Sequence, residues 1–216
     1  MDDAYHYVHS GINIQKKEIV KKEIAFFDFD GTITSKDTLL EFIKFAKGRF
    51  RFYLGFIANF HYLIALKLKI ISNQSAKEKI LNFFFKNTST QTFEMYCTSF
   101  SKKILPHLLR PKAIEEITRL KEKNITVVIV SASPENWIEE WTKQNQLQLI
   151  ASRLEIKDGK LTGKLLGKNC HGNEKVNRIK EVFSLDDHVV VAAYGDSSGD
   201  RPMLRLAEKA YYRPFS

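Results

Sequence analysis

The sequence predicts an α/β fold: a doubly wound parallel sheet with an inserted helical cap and a short β-hairpin. Three observations predict it. Continuous apolar runs rich in β-branched or aromatic residues recur at positions 24–29, 125–130 and 188–194. Runs without polar alternation suit parallel strands covered on both faces. Helical patterns separate these runs, and strand–helix alternation is the mark of a doubly wound sheet.

The elements follow in order. Residues 1–22 are polar and charged, with no apolar stretch of the kind that drives secretion. They read as a poorly ordered leader outside the fold. The first strand spans 24–29 and is closed by Gly31. Residues 38–105 carry helical patterns and no strand, a span too long for one crossover, so they form the cap. The core then comprises 23–37 and 106–216. A helix over 111–123 opens on Pro111, and another follows Ser133-Pro134 with Ser133 as its N-cap. Residues 149–167 hold Asp158-Gly159 between short alternating runs, a hairpin signal. Two last helices fall at 173–183 and 200–208.

Composition narrows the function. The chain has 216 residues, 44% hydrophobic and 27% charged, enough for one core and too apolar for general disorder. Its formal charge of +9 favours anionic partners such as a phosphate ester or an acidic surface. Cys97 and Cys170 lie far apart without metal-ligand spacing, so a reducing cytoplasmic setting is expected.

In open α/β sheets the ligand binds beyond the carboxyl ends of the strands. The first run carries Asp28 near its end and is followed there by Asp30, Gly31 and Thr32. The second is followed by Ser131, Ala132 and Ser133, and the third by Gly195, Asp196, Ser197 and Asp200. Four carboxylates at one edge repel, and a hard cation relieves them. Oxygen donors without a His or Cys cluster point to Mg²⁺ rather than zinc. Mg²⁺ completes its shell with phosphate, for which a serine and a lysine are suitable partners. By type alone Lys164, Lys168 and Lys180 compete with Lys175, and Ser133 with Ser131.

These residues resemble the four motifs of the haloacid dehalogenase superfamily, in its phosphoserine-phosphatase-like branch. The 28–32 segment matches the first motif, Ser131 the second, Lys175 the third, and the 195–200 segment the fourth. The resemblance implies the sheet order 5-4-1-2-3 and a phosphatase of small phosphomonoesters that depends on Mg²⁺. It implies Asp28 as nucleophile, forming an aspartyl phosphate, and Asp30 as general acid and base. It also implies a metal held by Asp28, Asp196 and the Asp30 carbonyl, with Asp200 orienting that shell. Thr32, Ser131, Ala132 and Lys175 serve phosphate and substrate. Asp37, seven residues after Asp30, stands where phosphoserine phosphatases carry a glutamate that meets the substrate amine.

Residues 42–77 contain no acid, but hold Lys44, Lys47, Arg49, Arg51, Lys67, Lys69 and Lys77 among aromatics. Their apolar stretch is too short to span a bilayer. Its composition suits peripheral contact with an anionic membrane, and with it a lipid-phosphate substrate. No nucleic-acid partner is expected. A receiver-type phospho-acceptor fold is disfavoured by Asp30 and by the long insertion. Trp137 and Trp141 read as one buried helix face, His61 and His107 as packing or surface residues, and Cys170-His171 as loop.

Overall fold

The computed structural model describes residues 21–215 except Lys69, with the Leu63 side chain also left aside. Residues 1–20 of the expected leader lie outside the described residues, whereas Lys22 opens the first strand. The main sheet contains β1 (Lys22–Phe27), β2 (Thr126–Pro134), β3 (Gln148–Ser152), β6 (His188–Gly195) and β7 (Lys209–Tyr212). Its spatial order is β3-β2-β1-β6-β7 and all four pairings are parallel. Numbered along the sheet's own strands, this is the expected 5-4-1-2-3. The order reverses at β1, so the switch point falls at its carboxyl end.

Alternation along the central strands explains their unbroken apolarity. Ala25 and Phe27 join Val127 and Ile129 in one core, while Ile24 and Phe26 join Val128 and Val130 in another. The second core is closed by α8 (Asn173–Val182) and α9 (Arg201–Leu204) through Ile179, Phe183 and Met203. Five helices lie between β1 and the carboxyl-terminal part of the sheet's first crossover: α1 (Thr38–Lys47), α2 (Arg49–Ala58), α3 (Phe60–Lys67), α4 (Asn73–Phe85) and α5 (Thr90–Lys103). The crossover itself is completed by α6 (Pro111–Glu122). Phe42 of α1 stacks on Trp137 at 4.5 Å and meets Phe85, Phe93 and Phe100 each at 5.4 Å. That aromatic cluster seats the inserted helices on the sheet.

The hairpin is β4 (Leu154–Lys157) with β5 (Lys160–Leu165). Asp158 and Gly159 both have positive φ, 50° and 70°, as a two-residue type I′ turn requires. β5 lies against α4, and Gly163 (φ 82°) is pressed so close that a Cβ there would sit 2.4 Å from Asn82 Cα.

Several expectations are corrected. The first strand stops at Phe27, and Phe29 belongs to an irregular turn because Gly31, with φ of 82°, reverses the chain. Residues 149–152 join the main sheet as β3 and not the hairpin. Ser133 caps no helix: β2 runs through Pro134, a 3₁₀ turn covers Glu135–Trp137, and α7 (Glu139–Gln144) starts later. Trp137 and Trp141 are both buried but sit in different elements. The final helix covers only Arg201–Leu204, and β7 went unread because it is an exposed four-residue edge strand with little pattern.

Substituting Gly163→Ala forces a Cβ into the α4 backbone at a positive φ. We expect a loss of roughly 2–3 kcal/mol, lowering Tm by about 5–10 °C. Calorimetry against Gly159→Ala, where a Cβ meets open space, separates the clash from the conformational cost.

Candidate active site

Asp28 follows β1 and keeps its backbone N–H on the Tyr194 carbonyl of β6 at 2.9 Å. The sheet thus fixes its backbone at the switch point. Its carboxylate accepts a hydrogen bond from Lys175 Nζ at 2.6 Å and from Thr32 Oγ1 at 3.2 Å. Lys175, on the first turn of α8, is only 1% exposed and gives its other two N–H bonds to the Val130 carbonyl and Asp200 Oδ1, both at 2.7 Å. Lys164, Lys168 and Lys180, its competitors by residue type, are exposed.

Burial pushes the Asp28 carboxyl up to about 7, against the opposing pull of Lys175. Burial works against charge on Lys175 as well, but Asp28 and Asp200 hold it firmly protonated. For Asp200, burial is outweighed by Lys175 and Ser197, and its carboxyl lies below the ordinary range. Burial and the neighbouring Asp200 raise Asp196.

Ligand oxygens of Asp28, Asp196 and Asp200 fall within 4.8 Å of one another. One lysine faces three carboxylates, so the cluster is short of positive charge. The donor set is all oxygen and fits a hard divalent cation. Asp200 Oδ1 is taken by Lys175, and its Oδ2 accepts from the Asp196 and Ser197 backbone N–H groups and from Ser197 Oγ. Its bonds therefore brace the 196–197 loop, leaving the Asp28 and Asp196 oxygens more available. Gly31 is needed beneath Asp196, because a Cβ would approach its Oδ2 to 2.4 Å.

Asp30 reaches the site through the irregular turn, not through strand alternation. Its Oδ1 accepts from Thr38 N–H and Thr38 Oγ1, both at 2.6 Å, and its Oδ2 lies 3.5 Å from Ser131 Oγ. Thr38 Oγ1 in turn accepts from Trp137 Nε1 at 3.0 Å. Ser131 is fully buried and also accepts from Ser133 N–H at 3.0 Å. Thr32 Oγ1 lies 3.4 Å from Asp196 Oδ1, so it stands between two acids. The Ala132 carbonyl accepts from Lys77 Nζ of α4 at 2.7 Å, and Lys77 also bonds Asn169 Oδ1 at 3.1 Å. Asp37 is the N-cap of α1 and accepts from Leu40 N–H at 3.1 Å. Although Asp37 keeps an exposed surface, desolvation by the atoms around its carboxyl and the charge of Asp30 raise it to about 6.

Two neighbours of the site went unsingled in the sequence. Thr38 carried a signal, since it begins a helix directly after an acidic cap. Lys77 was visible only as one of a run of cations, and nothing local marks it as the one folded toward Ala132. Cys170-His171 forms a loop beside the site, with Gly199 kept bare by the His171 ring.

A parallel sheet with this order and acids at its switch point defines a Rossmann-like hydrolase core. The chain belongs to the haloacid dehalogenase-like hydrolases, a family that matches residues 25–205. It is 36% identical over 194 residues to Protein CicA of Caulobacter vibrioides, covering 89% of this chain and 86% of that one. With the phosphoserine phosphatase of Methanocaldococcus jannaschii it shares 28% identity over 196 residues, 87% of this chain and 83% of the other. A solved structure of a protein of unknown function from Bordetella pertussis Tohama I has a TM-score of 0.72 at 20% identity, over 86% of each chain. That last likeness concerns the fold alone. The protein is an enzyme, a hydrolase of phosphatase type.

Thr38→Val keeps the helix and the backbone bond to Asp30 while removing the hydroxyl that links Asp30 to Trp137. If Asp30 takes part in turnover, kcat should fall roughly 10–100-fold with KM little changed, as misplacement of a reacting group produces. Steady-state kinetics with a melting curve test this, and Thr38→Ser should recover most of the rate.

Proposed function

We propose that the enzyme hydrolyses a small phosphomonoester through an aspartyl phosphate on Asp28. The observation that carries this reading is the buried Asp28 carboxylate, held at 2.6 Å by Lys175 within a cluster of acids. Asp28 attacks phosphorus, the ester P–O bond breaks, and Asp30 delivers a proton to the departing oxygen. Asp30 then takes a proton from water as that water attacks the acyl phosphate, releasing phosphate and restoring Asp28. Lys175 aims Asp28, and a phosphate oxygen reaches it by replacing one of its present acceptors. Ser131 and Thr32 offer hydroxyls to the phosphoryl group beside Asp30 and Asp28. Mg²⁺, held by Asp28, Asp196 and the Asp30 carbonyl with Asp200 bracing the loop, would supply positive charge for the transferring phosphoryl oxygens. The inserted helices serve as the cap over residues 38–105. Cys97 and Cys170 are free and buried, in keeping with a reducing cytoplasm.

Asp37 favours a substrate with an amine. Lys77, whose charge bears on both Asp30 and Asp37, sets a cation beside that acid. A non-phosphate end bearing both charges, as in a phosphorylated amino acid, fits the pair. A relative that is a phosphoserine phosphatase supports the same class. A second reading, a lipid phosphate, is favoured by the exposed apolar row on α2.

Turnover of p-nitrophenyl phosphate should require Mg²⁺ and disappear in EDTA, and Asp28→Asn should abolish both turnover and any trapped phosphoenzyme. Because the Asp28 carboxyl stands near 7, protons compete with the cation. The acid limb of kcat/KM should therefore move to lower pH as Mg²⁺ is raised. Full activity in chelator would overturn the metal assignment.

Asp37→Asn preserves the N-cap and removes only the charge. KM for phosphoserine or phosphoethanolamine should rise about tenfold more than for p-nitrophenyl phosphate. Equal changes would assign Asp37 to capping α1 alone.

A further inference from the structure

On α2 the face turned away from the protein is as apolar as the face turned toward it. Phe52 and Gly55 are buried, and Phe56 packs near Phe84 with ring centroids 6.2 Å apart. The opposite side carries Phe50, Tyr53, Leu54 and Ile57, which are exposed, Phe50 by 77% and Ile57 by 73%. Their spacing of i, i+3, i+4 and i+7 makes one stripe, and at about 100° per residue Arg49 and Arg51 fall on its two flanks. After the single junction residue Asn59, the exposed Phe60, Ile64 and Leu68 continue as a row along α3, with Lys67 beside it. A helix face that met only water would carry lysines and glutamates in these places.

We infer that this face docks the enzyme on an anionic lipid bilayer, with the stripe in the acyl–headgroup boundary and Arg49 and Arg51 on the headgroup phosphates. Charge complementarity selects the occupant. No acid occurs from residue 42 to residue 77, so every charge that α2 and α3 themselves carry is positive. A second copy docked face to face would oppose Arg49 and Arg51 to their like. Leu54, Ile57, Ile64 and Leu68 match acyl chains, and a nucleic acid would leave them without a partner. Helices of ten and eight residues are too short to cross, and no helix among the described residues is long and apolar enough to span a membrane. The face therefore lies in the interface plane. The inference does not depend on the substrate, because docking is read by binding and not by turnover.

Flotation of the full chain with vesicles of phosphatidylcholine alone, or mixed with phosphatidylglycerol, tests it. The wild type should float with the anionic vesicles, lose binding as salt is raised, and ignore the zwitterionic ones. Phe50→Ser with Ile57→Ser should weaken binding at least about tenfold. Arg49→Gln with Arg51→Gln should weaken it about thirtyfold, the effect of losing two cations at a charged surface. Both variants should keep wild-type turnover of p-nitrophenyl phosphate, which shows that they fold. Failure of the wild type to float, or flotation unchanged in both variants, overturns the proposal. So does a wild-type dimer that ignores vesicles and that the serine variant splits, which would make the face a contact between copies. Retention by polyglutamate or nucleic acid without vesicle binding overturns it equally.

Discussion

The structure turns on one buried cation. Lys175 is set where three chain segments meet: Asp28 after β1, the Val130 carbonyl of β2, and Asp200 after β6. Removing an ammonium and two carboxylates from water costs several kcal/mol for each ion, and a buried pair seldom repays that cost in stability. Here the arrangement makes sense as pre-organisation. It fixes the Asp28 carboxylate in advance, while leaving the local charge negative enough to suit a second cation.

That constraint reaches outward along two routes. Through Asp200 it reaches Ser197 and the backbone that presents Asp196, so the last acid is placed by the same lysine that aims the first. Through the turn at Gly31 it reaches Asp30, whose carboxylate is pinned by Thr38 at the start of α1. Thr38 is tied to Trp137, and Trp137 stacks on Phe42 at the centre of the aromatic cluster. The seating of the inserted helices and the position of the Asp30 carboxylate therefore share one set of contacts. Lys77 and Asn169 add a second latch, because α4 closes onto the Ala132 carbonyl and the loop before α8.

Charge is divided unevenly over the same scaffold. Acids gather at the sheet edge, and the inserted helices are basic with an apolar outer row. An electropositive surround favours phosphate-bearing molecules, and an acidic floor favours a cation.

The sequence by itself determined the three central strands of the sheet and the acids at their ends. A parallel strand buried on both faces must be apolar throughout, and polar residues immediately after such a run can lie only at the ligand edge. Asp28, Asp196 and Asp200 were legible for that reason. The sequence also determined the hairpin, since Asp158-Gly159 meets a local backbone demand. What depended on distant packing was not legible. Nothing near Lys175 distinguishes it from Lys168 or Lys180 until α8 folds it under β1 and β2. Nothing near Lys77 tells that α4 turns it inward while Arg49 and Arg51 stay outside. Asp30 was legible as an acid near the end of the first run, but how it reaches the site was not, because the reversal at Gly31 and the grip of Thr38 are tertiary. β7 was lost because an exposed edge strand lacks the two-sided burial that writes a pattern. Local rules record what a residue needs from its neighbours in the chain, and only the fold decides which distant groups supply the rest.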